Sequence, residues 1–142
     1  VSFVAGKKEI IDTLTPGSEG STFGGYPLAA VVGVYAIKTL VDLKLAENAR
    51  VRGEQLMNHF NDIKSEFPDK IKETRGKGLL TAFEMFDEKH LDGHKVSVEL
   101  LNHGVYAKET HRSTVRIAPA LTIESWQIDN MAEKLREVIK SL

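Results

Sequence analysis

The stretch Ile71-Lys72-Glu73-Thr74-Arg75-Gly76-Lys77-Gly78-Leu79-Leu80-Thr81-Ala82-Phe83-Glu84-Met85-Phe86 is where the chain changes from helical to extended spacing. Leu79, Thr81, Phe83 and Met85 alternate with more polar neighbours, the period of a strand with one buried face. Ile71–Arg75 and Leu79–Phe86 therefore read as two strands joined at the Gly-Lys-Gly turn. A hairpin alone cannot bury its apolar face, so the flanking segments must cover it.

Upstream, a helix runs from about Ala46 to Phe67. Ala49, Gly53, Leu56, Phe60, Ile63 and Phe67 recur at spacings of four and three, a core-facing stripe, and Pro68 ends it. Downstream, Asp92 is placed to cap a helix reaching His103, with Val96 and Leu100 four apart and Gly104 as its stop. Val105–Lys108 and Thr114–Ala118 read as short strands. A last helix spans about Glu124 to Leu142, carrying Ile128, Met131, Leu135, Val138 and Leu142, with Thr122 as its N-cap. From Ile71 onward the pattern predicts an α+β unit with a small, largely antiparallel sheet.

The first third reads differently. Val1–Ala5 has the pattern of a buried strand, and Lys7–Leu14 that of a short helix stopped by Pro16-Gly17. Then comes Gly20-Ser21-Thr22-Phe23-Gly24-Gly25-Tyr26-Pro27-Leu28, a Gly/Ser/Thr turn running into a helix from Pro27 to about Lys44. Pro27 suits a first helical turn, where no intrahelical N–H bond is lost. Leu28, Val31, Val32, Tyr35 and Leu40 lie on or near one face of that helix. Glycines bring backbone close to a ligand, and the Ser21 and Thr22 hydroxyls offer donors to a phosphate or another anion. The alternative is that both hydroxyls only stabilise the turn.

The 142 residues, 42% hydrophobic, suffice for the core of one ordinary domain. A net charge of −1 with interspersed signs gives no basic patch for nucleic acid or an anionic membrane. The apolar stretch Leu28–Tyr35 is too short to span a bilayer, and no charged-then-apolar leader opens the chain. With no cysteine there are no disulfides and no thiol catalysis, which fits a cytoplasmic or mitochondrial-matrix setting.

Several residues bear on chemistry. Arg116 sits in Val115-Arg116-Ile117-Ala118-Pro119, an arginine inside a short β-like run. Its planar guanidinium can hold a carboxylate through two parallel hydrogen bonds, which lysine cannot reproduce; the alternative is pairing with a surface carboxylate such as Glu109. Arg75-Gly76-Lys77-Gly78 has the make-up of an anion nest, but a plain turn is the simpler reading. His111, near Arg116, reads as a solvated or core histidine. His90, Asp92 and His94, with Asp87 and Glu88 nearby, follow no established zinc spacing, so no metal site is assigned. Asp42, Lys44, Glu47 and Arg50 read as a wet helix face.

The Gly20–Leu28 turn, the Arg75-Gly76-Lys77-Gly78-Leu79-Leu80 segment and Thr110–Leu121 occur in the order and spacing of class III pyridoxal-phosphate aminotransferases. The chain resembles that family along essentially its whole length, and most of all its ornithine-using members; acetylornithine- and 4-aminobutyrate-using members share much of the pattern. The resemblance implies an α/β fold of the aspartate-aminotransferase-like type, fold type I. Residues 1–26 would end the large cofactor-binding domain, 27–45 would form the connecting helix, and 46–142 the small C-terminal α+β domain. It implies pyridoxal 5'-phosphate as cofactor, with Ser21 and Thr22 contacting its phosphate across a homodimer interface. Arg116 would bind the carboxylate of amino-acid and 2-oxo-acid substrates. The lysine that carries the cofactor is expected upstream of Val1, as is the aspartate that pairs with the cofactor's ring nitrogen, so the chain alone is expected to be inactive. Tyr26 departs from the family, which commonly has a smaller polar residue there. Without the large domain's sheet, the first third is expected to expose apolar surface. The reading from a different class is a non-catalytic α+β binding or dimerisation module.

Overall fold

The computed structural model describes residue 2, residues 4–86 and residues 92–142. The chain divides into two units, Val1–Leu43 and Lys44–Leu142.

In the first unit, α1 (Lys8–Ile11) is a single turn and α2 spans Pro27–Asp42. The strand expected over Val1–Ala5 is not formed among the described residues: Ser2, Val4 and Ala5 are irregular, and Val4 is exposed. A strand needs a ladder partner for its N–H and C=O groups, and the unit has no other strand among the described residues. Helix α1 is shorter than the Lys7–Leu14 expectation. Pro27 stands in the first turn of α2, as its fixed φ favours. No α2 residue is buried, and Leu28, Val31, Val32, Tyr35 and Leu40 are 62, 53, 56, 65 and 43% exposed. Val34, Ile37 and Val41 are exposed as well, so the helix is apolar around most of its girth. Such a helix is normally covered by protein, and the expected exposed apolar surface is present.

The second unit holds α3 (Leu45–Glu66), β1 (Ile71–Lys77), β2 (Leu80–Met85), α4 (Gly93–Asn102), β3 (Lys108–Thr110), β4 (Thr114–Ile117) and α5 (Ser125–Ser141). The strands form one antiparallel sheet in the order β1-β2-β4-β3. Helices α3, α4 and α5 pack on one face. The core between them contains Leu56, Phe60 and Ile63 of α3, Val96 and Leu100 of α4, and Ile128 and Leu135 of α5. Phe83, Met85, Val115 and Ile117 meet them from the sheet. Phe60 and Phe83 touch edge to face with centroids 5.7 Å apart, a geometry aromatic quadrupoles favour. The buried Thr81 hydroxyl is satisfied, donating to the Ile117 carbonyl at 2.7 Å.

Several boundaries differ from the sequence reading. Gly76 and Lys77 continue β1, and the turn is Gly78-Leu79, with Gly78 at φ +56°. Glycine takes that conformation without Cβ strain. Gly53 of α3 lies against this turn so closely that a Cβ there would fall 2.2 Å from the Gly78 oxygen. Strand β3 begins at Lys108 rather than Val105, because its register with β4 pairs Lys108 with Arg116 and Thr110 with Thr114. Helix α5 is capped by Glu124, not Thr122: Glu124 and Gln127 exchange side-chain-to-backbone bonds, a reciprocal arrangement that satisfies two first-turn donors. Asp92 does cap α4, accepting from the His94 N–H at 2.9 Å. Among the described residues, no helix is long and apolar enough to cross a membrane.

Candidate functional site

Strand β4 has two faces with opposite fates. Val115 and Ile117 point into the core, so Arg116 is directed to the face that carries no helix, where it is exposed. Register fixes its neighbours: Arg116 stands opposite Ala82 on β2 and Lys108 on β3, and Ala82 stands opposite Arg75 on β1. One row across the open face therefore reads Arg75, Ala82, Arg116, Lys108. Directly opposed side chains share a face and approach closely, so the Arg116–Lys108 juxtaposition is repulsive.

The cations of this face are treated unequally. Glu84 accepts from Lys72 Nζ at 2.8 Å and from Arg75 Nη1 at 3.1 Å. Arg75 lies also 3.5 Å from Glu73. The side chains of Arg116 and Lys108 have no hydrogen bond or ion pair among the described residues. Glu109, the carboxylate that sequence reasoning offered as Arg116's alternative partner, lies on the helix side of β3, 3.2 Å from His94 Nδ1. Its own backbone N–H, and then His94, hold its carboxyl below the ordinary range. Arg116 is thus a bidentate donor with its fork open to solvent, next to a small residue and a second cation.

The hydrogen bonds from Lys72 and then Arg75 hold the Glu84 carboxyl below its ordinary value of 4.5. A depressed folded-state pKa stabilises the fold fully above the unfolded value and loses that contribution as pH falls through the folded value. Glu84→Gln is therefore expected to be less stable than wild type at neutral pH, with the gap closing below about pH 4.5. Urea unfolding across that range checks this.

Ser21 and Thr22 lie in the first unit, in the turn before α2, and are exposed. The turn is closed by Gly24 N–H to the Ser21 carbonyl at 3.1 Å and Tyr26 N–H to the Phe23 carbonyl at 3.1 Å, with Gly25 at φ +74°. Neither hydroxyl is engaged among the described residues, and Tyr26 gives α2 no side-chain cap. Free hydroxyls beside glycine backbone and an uncapped helix start are the donors a phosphate dianion requires. The turn fits as one wall of such a site.

The remaining sequence candidates resolve into structure. Gly76 and Lys77 belong to a strand, not a nest. His111 and Arg112 occupy the β3–β4 turn at φ +51° and +60°, and His111 is exposed. Asp92 is a cap and His94 pairs with Glu109, while Asp87, Glu88 and His90 lie outside the described residues. Arg50 bridges Glu47 and Glu54, each at 2.7 Å, on a solvated helix face. A groove of about 490 Å³ lies at the end of β4 between Tyr106, Pro119, Trp126 and Asn130. It holds none of the predicted site residues. Sequence reading passed over Lys108, whose place opposite Arg116 only the β3–β4 register shows.

A helix-backed antiparallel sheet thus presents an unpaired arginine on its open face, and a Gly/Ser/Thr turn precedes a long apolar helix. The chain belongs to the class-III aminotransferases, whose family model matches residues 1–139. These enzymes are pyridoxal-phosphate-dependent, of fold type I, and act on amino and oxo acids. Among its relatives, the chain is 38% identical to the mitochondrial ornithine aminotransferase of Arabidopsis thaliana over 142 residues, which is 99% of this chain and 30% of that protein. The ornithine aminotransferase structure from Toxoplasma gondii superposes with a TM-score of 0.84 at 33% identity, over 94% of this chain and 31% of that one. The acetylornithine aminotransferase of Elizabethkingia anophelis gives 0.83 at 32% identity, over 94% and 33%. The chain thus spans about a third of the length of these relatives.

Proposed function

We propose that this chain is the C-terminal part of an aminotransferase that moves the terminal amino group of ornithine to a 2-oxo acid. Residues 1–26 end its large domain, 27–45 connect, and 46–142 form its small domain. Arg116 binds a substrate carboxylate, and Ser21 and Thr22 hold the cofactor's phosphate in the partner subunit of a homodimer. When bound, pyridoxal phosphate supplies the electron sink for the chemistry; this chain's residues bind and orient. The observation that carries this reading is the unpaired Arg116 guanidinium on an open sheet face, with Glu109 engaged elsewhere. Similarity to ornithine aminotransferases supports the donor, while the acetylornithine-using structure is matched as well, so ornithine is tested against its acetylated form. The lysine that carries the cofactor lies outside these residues, and the chain alone is inactive. The cytoplasm is its compartment, with the mitochondrial matrix as the alternative.

The phosphate role is tested on the longest polypeptide made from this coding sequence. Thr22→Ala is expected to raise the pyridoxal-phosphate concentration for half-maximal activity about tenfold, the loss of one charge-assisted hydrogen bond. An unchanged cofactor requirement in Thr22→Ala, and in Ser21→Ala, removes the turn from the site.

A further inference from the structure

We propose that Lys108 is the second cation of the carboxylate site, closing on the same anion as Arg116. This rests on the carboxylate-binding role of Arg116 and adds a residue to it. Three observations support it. The β3–β4 register sets Lys108 directly opposite Arg116, so both side chains rise from the same open face. Neither has a partner among the described residues, whereas Lys72 and Arg75 on the other side of that face share Glu84. The carboxylate beside Lys108 in sequence, Glu109, points to the other face and is engaged by His94.

Two unpaired cations set opposite each other are a local cost. An anion between them turns that repulsion into two attractions, one bidentate and one from a point charge on a flexible stem. Ala82, on Arg116's other side, adds no charge and little bulk, which leaves the approach open. Glu84, the carboxylate of β2, is already shared by Lys72 and Arg75. Arg116 supplies direction; Lys108 supplies charge.

The test is titration of the isotope-labelled longest polypeptide made from this coding sequence with 2-oxoglutarate, followed by amide shifts in β3 and β4. Lys108→Gln is expected to weaken binding about fivefold, the upper range for an exposed charge pair. It should also reduce the salt dependence of binding, leave the urea midpoint no lower than that of wild type because the repulsion is relieved, and be rescued by Lys108→Arg. Arg116→Gln is expected to abolish saturable binding. If Lys108→Gln binds as wild type while Arg116→Gln does not, Lys108 is no part of the site and the arginine's role stands. If wild type shows no shifts in these strands, or Arg116→Gln binds undiminished, the carboxylate site and this inference fall together.

Discussion

Arg116→Lys in the longest polypeptide from this coding sequence is expected to lower kcat/KM for the 2-oxo acid about 100-fold. Lysine keeps the charge and loses the fork. A guanidinium holding a carboxylate through two parallel charge-assisted bonds gives way to a single point contact, at a cost of about 3 kcal/mol. The loss should appear mainly as a raised KM for 2-oxoglutarate, because the role proposed for the arginine is to bind substrate rather than to touch the reacting carbon. Arg116 is exposed and outside the core, so thermal unfolding should be unaffected. That combination separates a binding residue from a structural one. A KM within a fewfold of wild type would remove Arg116 from the substrate site.

Gly53→Ala is expected to be the most damaging single-methyl change in the second unit. On propensity alone it should help, since alanine is favoured over glycine inside a helix by about 1 kcal/mol. Packing decides otherwise. The added Cβ would lie 2.2, 2.4 and 2.7 Å from the oxygen, carbonyl carbon and Cα of Gly78, all backbone atoms. No rotamer change relieves a clash with backbone, so α3 or the β1–β2 turn must move, and the core face of α3 moves with it. A net loss of about 3 kcal/mol is expected, at the high end for overpacking. For a unit of this size that is a fall in Tm of about 15 °C. Alanine tolerated without loss would mean that α3 does not rest on the turn.

Sequence periodicity located the second unit well because its core residues obey simple spacings. Leu56, Phe60 and Ile63 lie four and three apart on α3 and are all buried, and Leu79, Thr81, Phe83 and Met85 alternate and are all buried. Asp92 was legible as a cap because its side chain acts two residues away. What escaped were features set by partners distant in sequence. The start of β3 depends on which residues β4 offers for pairing, and the N-cap of α5 depends on a reciprocal bond with Gln127. Val1–Ala5 reads as a strand by composition, but among the described residues its unit offers no strand to complete a ladder. Arg116 was legible from its motif, whereas the charge opposite it was not, since an eight-residue separation becomes a direct neighbour only through the β3–β4 turn. Ser21 and Thr22 were legible as donors from their glycine-rich setting. What they bind is not written in the turn.

The most direct measurement is ornithine-dependent formation of glutamate from 2-oxoglutarate, with added pyridoxal phosphate. It compares the longest polypeptide from this coding sequence with the 142-residue chain by itself. Turnover is expected in the first with ornithine preferred over acetylornithine, and none in the second. Absence of turnover with either donor in the longer polypeptide, or turnover by the 142 residues alone, would contradict the account.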